Sequence, residues 1–520
     1  MWLRWLACVS LGLTAIVALT VSQQKPTVSY TKDIQPLFLK RCVLCHGENK
    51  AEHNLRLDSY EAVMQGDKEG AVIVPGKSSE SRLYLVVAGK REPKMPPDPL
   101  PPLTPQELEL LRRWIDEGAK NDAAVPTTPS PVKGQPIPSI APKPQRITVQ
   151  LTAVEGIQSS QVTVEFGPMP ALSAIAFSPD GKTLFVGGYR EVVRWDLSEG
   201  KLMGRWNING LEGSVTALAI NKDGTQIAIA GGAPQQPTTV AVLDAATGKI
   251  LQRFTDPKDT VPSIAFSPDG NWLAAASVDK FVYVWDLREG KLAATLKEHS
   301  DWVLGVAFSH DGKWLATSSA DRTVLLWEAN KWQIARKLEH PETVYRLAFQ
   351  PNGNLLAAAV GGLSERGIWI WNAETGQRVR SLGGMKEPVL DVAWSSDGKF
   401  LVAGVADNTV RLYDANGNLR ATLQGHGDWV NAVAFHPDNN RFASASNDGT
   451  VRLWHIDGRL LAVLVQLASG KDDWLIVTPQ GYFAHEGTIQ GQLATMVEQW
   501  RKPEMVRRIL AGEKLTPAKP

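Results

Sequence analysis

The chain changes its hydrophobic rhythm along its length. Residues 1–22 hold an unbroken apolar run from Trp5 to Val21 behind the single charge Arg4, followed by the polar Ser22-Gln23-Gln24. Between residues 27 and 120 apolar positions recur at three- and four-residue spacing. Ile34, Leu37, Phe38 and Cys42 make the first such stripe, with Asp33 near its start and Pro36 early enough to be tolerated, which predicts a helix running into Cys42. Short helices are predicted at Ser59–Gln65 and Ser79–Ala88, closed by Gly66 and Gly89. The clearest start is Thr104-Pro105-Gln106-Glu107, a cap, a first-turn proline and a carboxylate that reaches back, ahead of Leu108, Leu111, Trp114 and Ile115. Gly118 ends that helix. Residues 121–146 contain seven prolines and almost no large apolar side chain, so they read as a semi-stiff linker.

From Leu172 to Leu467 the period lengthens and repeats. AIAFSPDGKTLFVGG, ALAINKDGTQIAIAG, SIAFSPDGNWLAAAS, GVAFSHDGKWLATSS, RLAFQPNGNLLAAAV, DVAWSSDGKFLVAGV and AVAFHPDNNRFASAS are seven copies of one phrase. An anchor recurs at Phe177, Ile220, Phe266, Phe308, Phe349, Trp394 and Phe435. A second recurs at Trp195, Leu243, Trp285, Trp327, Trp371, Tyr413 and Trp454, and both step by 41 to 48 residues. Each copy supplies an apolar strand, a Pro-Asp-Gly-like turn, a small-residue strand and a strand ending in Trp-Asp or a variant. One such sheet is apolar on both faces, and stacking seven of them radially buries those faces in a closed ring. Beyond Leu467, DWLIVTPQGYFA reads as a strand pair and Gln492–Leu510 as a helix, placed to cover the site of ring closure.

These phrases resemble the WD-repeat family over close to 300 residues: Trp195-Asp196 and Trp285-Asp286 are kept, as is Gly425-His426 ahead of the last blade. The resemblance implies a hydrogen-bonded network linking a His before the first strand, an Asp in a later turn and the strand Trp. By position, these are His299, Asp321 and Trp327 in one blade and His426, Asp448 and Trp454 in another, while the first two blades lack the His and the Asp.

Charge narrows the function little. Lys and Arg number 55 against 54 Asp and Glu, which leaves no basic footprint for nucleic acid. Three cysteines in 520 residues exclude a framework of cross-links. The N-terminal run has the layout of a secretory signal, so the chain is expected outside the cytoplasm, in the periplasm. At 17 residues it lies at the short edge of a bilayer span, which keeps an uncleaved membrane anchor facing the periplasm open as well.

Cys8 falls inside that run, which leaves Cys42-Val43-Leu44-Cys45-His46 to explain. On a helix, positions i, i+3 and i+4 share a face. Two thiols there can join a haem's vinyl groups while the adjacent imidazole reaches the iron. A structural zinc site needs further ligands that are absent, and a thioredoxin-like pair needs a preceding strand where a helical pattern stands. A local disulfide is chemically permitted. Met95, in the proline-rich Lys94-Met95-Pro96-Pro97 loop, is the candidate sixth iron ligand, the plainer role being a gap-filling apolar contact. Met64 reads as core.

Residues 30–120 also resemble the planctomycete-type cytochrome c domain, in KDIQPLFLKRCVLCHG, LRLDSYEAVMQG, IVPGKSSESRLYL and KMPPDPLPPLTPQELELLRRWIDEGA. The resemblance implies one covalent haem c on Cys42 and Cys45, with His46 as proximal and Met95 as distal ligand. His53-Asn54 departs from the family's small glycines and makes His53 a competing ligand.

The expected molecule is therefore multidomain: a signal or anchor (1–22), a small all-α cytochrome c-like domain (27–120), a linker (121–146), an all-β seven-bladed WD-type propeller (147–467) and a C-terminal strand pair and helix (468–520). Nothing in the propeller resembles a nucleophile elbow, a metal-binding helix or a phosphate loop. The function expected is electron transfer or redox sensing without catalysis, the propeller docking a protein partner. A redox enzyme whose propeller holds a second cofactor or substrate, and an envelope scaffold with a structural haem, are the alternatives.

Overall fold

The computed structural model describes residues 28–42, 46, 55–57, 59–68, 70–92, 95, 102–121, 145–150, 161–166, 171–211, 213–232, 238–467, 472–487 and 501–515. The apolar run at 1–22 and the stretch 122–144 of the expected linker lie outside them. The chain divides into two compact units, Met1–Pro138 and Ser139–Pro520.

In the first unit a wide turn at Tyr30–Ile34 leads into helix α1 (Gln35–Arg41). Helix α2 (Tyr60–Gln65) starts where the Ser59 side chain accepts from the Ala62 N–H, and it ends at Gly66. The helix expected over Ser79–Ala88 is broken in two, a single tight turn at Ser78–Glu80 and then α3 (Arg82–Val87). Ser81 causes the break, because its hydroxyl accepts from the Val74 N–H and donates to the Lys77 carbonyl, which holds its own backbone extended. Helix α4 (Pro105–Asp116) opens on a complete capping box between Thr104 and Glu107. Ile34, Phe38, Leu57, Val63, Leu111, Trp114 and Ile115 form the core, and Tyr30, Tyr60 and Phe38 pack around the Trp114 ring.

The second unit opens with an antiparallel strand pair, Gln145–Gln150 with Gln161–Phe166, which the repeat pattern did not announce. A seven-bladed β-propeller follows. Each blade is four strands in sequence order, innermost first: Ile175–Asn207, Ser214–Phe254, Ser263–Leu296, Val303–Glu339, Val344–Leu382, Val389–Leu423 and, for the first four strands of the last blade, Val430–Gln466. The turn after each innermost strand is tight and the second strand is small, so neighbouring sheets approach closely and each blade's apolar faces are shared with the next.

Hydrogen bonds cross every junction near the axis. Val215 N–H reaches Gly188 O from blade 2 to 1, and Thr216 Oγ1–H reaches Val261 O from 2 to 3. Val306 N–H donates to Ser263 Oγ, and the Arg346 guanidinium of blade 5 donates to carbonyls of Leu304 in blade 4 and Pro262 in blade 3. Gln350 links blades 5 and 6, the Val433 N–H donates to Asp391 between 7 and 6, and Asn431 donates to Leu172 O between 7 and 1.

Blade 7 is larger than the rest. Strands Trp474–Val477 and Phe483–Glu486 extend its sheet to six. Of the helix expected over Gln492–Leu510, 492–500 lie outside the described residues, Arg501 pairs with Phe483 as an isolated bridge, and α5 begins at Pro503 and ends at Leu510. Proline lacks the N–H an interior helical position needs and suits the first turn, so it sets the start. Trp474 packs edge-on to Trp195 of blade 1, Asp472 pairs with Arg205, and Arg507 of α5 pairs with Glu199 and donates to its carbonyl. Val506, Ile509 and Leu510 join one core with blades 1 and 7. The extension therefore straps the last blade to the first.

Candidate functional site

Cys42 caps the C-terminus of α1, its N–H donating to Phe38 O at 2.8 Å. His46 is held at both backbone ends: its N–H donates to Cys42 O at 2.9 Å, the i+4 helical bond, and its carbonyl accepts from Leu57 at 2.7 Å. Its ring is not so fixed. Nδ1 is buried with no hydrogen-bond partner among the described residues. The Cys42 thiol is free, and burial pushes it up to about 12, with Arg41 opposing and Glu107 adding to the rise, so the sulfur stays protonated at neutral pH.

Met95 is fixed through its N–H to Val86 O at 3.1 Å, and its side chain is partly buried against the same core that Cys42 and Met64 touch. Arg41, next to Cys42, donates to Pro102 O at 2.8 Å and to Glu107 at 3.1 Å, which ties α1 to the start of α4 beyond the Met95 loop. Cys45, His53, Lys94, Pro96 and Pro97 lie outside the described residues, so the structure places Cys42, His46 and Met95 on this small unit without the second thiol.

The propeller histidines serve the blades. In blade 4, Trp327 Nε1–H donates to Thr317 Oγ1 (3.0 Å), the threonine hydroxyl meets His299 Nε2 (2.8 Å), and His299 Nδ1 meets Asp321 (2.8 Å). In blade 7 the same chain runs Trp454, Ser444, His426, Asp448, at 2.9, 2.8 and 3.0 Å. The hydroxyl in the middle was missed in the sequence, although a signal existed: nine residues after the anchor, blades 4 and 7 carry Thr317 and Ser444 where the others carry Val186, Ile229, Ala275, Ala358 and Ala403. Hydrogen bonds from His299 and Thr323 hold the Asp321 carboxyl well below the usual range against its burial, and those from His426 and Thr450 do the same for Asp448. Elsewhere the pattern is improvised. His340 accepts from Trp371 at 3.0 Å and burial pushes it down to about 4, and in blade 3 Trp285 donates to Asp256 at 2.8 Å. His436 sits at the ring closure, its Nε2 on Gly181 O at 2.9 Å and its ring edge-on to Phe177. Among the described residues no three His, Cys, Asp or Glu gather as a metal site, and no helix is long and apolar enough to cross a membrane.

With this geometry in hand, the class is plain: the chain carries a seven-bladed WD-repeat propeller. Residues 261–405 match the family described as IFT122 first beta-propeller, residues 417–455 the WD domain, G-beta repeat, and residues 42–99 Planctomycete cytochrome C. Among curated proteins, the chain is 28% identical over 223 residues to Intraflagellar transport protein 122 homolog of Xenopus tropicalis, covering 43% of this chain and 14% of that protein. It is 36% identical over 99 residues to WD repeat and SOCS box-containing protein 1 of Xenopus tropicalis (18% and 23% covered), and 23% identical over 270 residues to Periodic tryptophan protein 2 homolog of Dictyostelium discoideum (51% and 24%). The chain thus spans between a seventh and a quarter of these relatives.

Proposed function

We propose that the protein is an exported c-type cytochrome whose small all-α N-terminal domain carries one covalent haem and exchanges electrons, and whose propeller docks a protein partner. The observation that carries this reading is His46, whose Nδ1 is buried with no hydrogen-bond partner among the described residues, on a backbone pinned four residues after the free thiol of Cys42, in the stretch that matches the cytochrome family. These residues fit a haem. Cys42 with Cys45 would hold the porphyrin through their sulfurs, and His46 and Met95 would ligate its iron, the His46 Nδ1 being left for an acceptor that fixes the ring. Bound haem supplies a one-electron iron couple. The chain's own part is to keep water from that centre with the Phe38, Leu57 and Trp114 core. Arg41 braces the two segments that bracket it.

The docking role rests on the WD-repeat propeller. The test is a potentiometric titration of the full chain, produced in a host with c-type haem maturation. One Nernstian one-electron transition, with no second chromophore and no turnover of reduced donors, is expected. A second chromophore or turnover would replace the carrier with the enzyme reading. Partner binding that ignores haem oxidation state would favour the scaffold.

A further inference from the structure

Two tryptophans stand out of the propeller where tryptophan is normally buried. Trp302 is 53% exposed and Trp429 51%, and each immediately precedes the innermost strand of a blade, blade 4 and blade 7. Blades 4 and 7 are three apart in a ring of seven, so the two loops stand on opposite sides of the axial opening. Strands in each blade alternate in direction, which puts these connecting loops on the same face as the loops between the second and third strands. That face also carries the exposed Tyr189 and Leu363.

The two tryptophans are held in the same way. Trp302 N–H donates to Asp301 Oδ1 at 2.9 Å and Trp429 N–H to Asp428 Oδ1 at 2.7 Å. The preceding loop is pinned because Asp321 accepts from Ser300 N–H, and Asp448 from Gly427 N–H. These are the blades with the complete Trp–hydroxyl–His–Asp chain. The other five have Ala171, Ser214, Thr260, Thr343 and Pro388 at this position. The buried network thus braces a loop that presents an aromatic face to solvent.

The surrounding field has a sign. On the described loops of this face carboxylates outnumber Lys and Arg two to one, while on the opposite face the two are near balance. Asp428 and Glu298 are among those carboxylates. Aromatic faces attract cations, and a carboxylate beside the ring strengthens that preference.

We infer that Trp302 and Trp429 form a two-point clamp for a partner-protein segment in which Lys or Arg alternates with apolar side chains. This deepens the docking reading and rests on it. The tryptophan faces take the cations and stems, and the acidic loops steer the approach.

The test uses the full chain and two probe peptides in calorimetric titration, one alternating arginine with leucine, the other glutamate with leucine. The arginine peptide is expected to bind, more weakly as salt rises, and the glutamate peptide not to bind. Trp302→Ala with Trp429→Ala, both at exposed positions, is expected to weaken binding by on the order of tenfold with the melting temperature kept. Asp301→Asn with Asp428→Asn keeps the turn acceptors and is expected to lower affinity by about threefold at low salt only. Equal binding by the tryptophan double variant, or equal binding of both peptides, overturns the clamp. If crosslinking maps a natural partner to the propeller while the intact chain binds neither peptide, the clamp falls and docking stands. A propeller that takes no partner at all fails both.

Discussion

Asp391 offers the sharpest test of how the ring is held. It sits on the innermost strand of blade 6, three residues before the Trp394 anchor, at the position where other blades carry Ala174, Ala217, Ser263, Gly305, Arg346 and Ala432. The residue is half-buried. Burial pushes its carboxyl up from 3.8 to about 6, in spite of the attraction of Arg346 and the N–H groups of Val433 and Val392. The folded protein therefore holds a proton that the unfolded chain releases between about pH 4 and pH 6. Stability falls as pH rises through that window and stays reduced above it. A shift of about two units corresponds to about 3 kcal/mol. Asp391→Asn keeps an oxygen for the Val433 N–H and removes the ionisation. In urea unfolding followed by tryptophan fluorescence, the variant is expected to gain up to about 3 kcal/mol over the wild type at pH 7.5, with the difference fading by pH 4. A variant less stable at pH 7.5 would show that Arg346 stabilises the carboxylate by more than burial costs it, and a difference that ignores pH would show that folding does not shift the carboxyl at all.

The other predictions concern the blade network, the closure and the haem loop. Asp448→Ala leaves His426 Nδ1, Gly427 N–H and the Thr450 hydroxyl without their acceptor and is expected to destabilise the propeller by about 3–5 kcal/mol, read from denaturant midpoints. Burial pushes His340 down from 6.5 to about 4, so its contribution is full above pH 6.5 and lost as pH falls toward 4. His340→Gln is expected to flatten acid unfolding in that range, opposite in sign to Asp391. Gly181→Ala places a Cβ against His436 Nε2, closer than any real contact, at a residue with φ of +72° and is expected to lower stability by about 1–3 kcal/mol, with the melting temperature as readout. Met95→Ala is expected to remove Met-ligated absorption features and lower the reduction potential. An unchanged spectrum would reject Met95 as a ligand.

The propeller was legible because its phrase is written seven times, so each anchor is confirmed by six others even where one blade reads Ile220 or Tyr413. What repetition does not mark was harder to read. The hydroxyls of Thr317 and Ser444 look like ordinary small-strand residues until the blades are set in register. The strap across blades 7 and 1 depends on pairs such as Arg507 with Glu199, about three hundred residues apart, which no local pattern announces. Ser81 broke a helix because a hydroxyl bonded sideways is invisible to periodicity. Pro503, at the first turn of α5, was visible as a break within the apolar stretch. In the N-terminal unit the capping box at Thr104 was legible from four residues, whereas the pinning of His46 by Leu57 and the brace of Arg41 on Pro102 join separate segments.

The central claim is covalent: a porphyrin bonded through sulfur to Cys42 and Cys45. Intact-mass measurement of the denatured full chain from a haem-maturing host tests it most directly, beside a Cys42→Ser, Cys45→Ser variant. The account predicts a mass increase of one haem in the first and none in the second. Wild-type chain at its bare polypeptide mass, from a host that matures a control cytochrome, would contradict it.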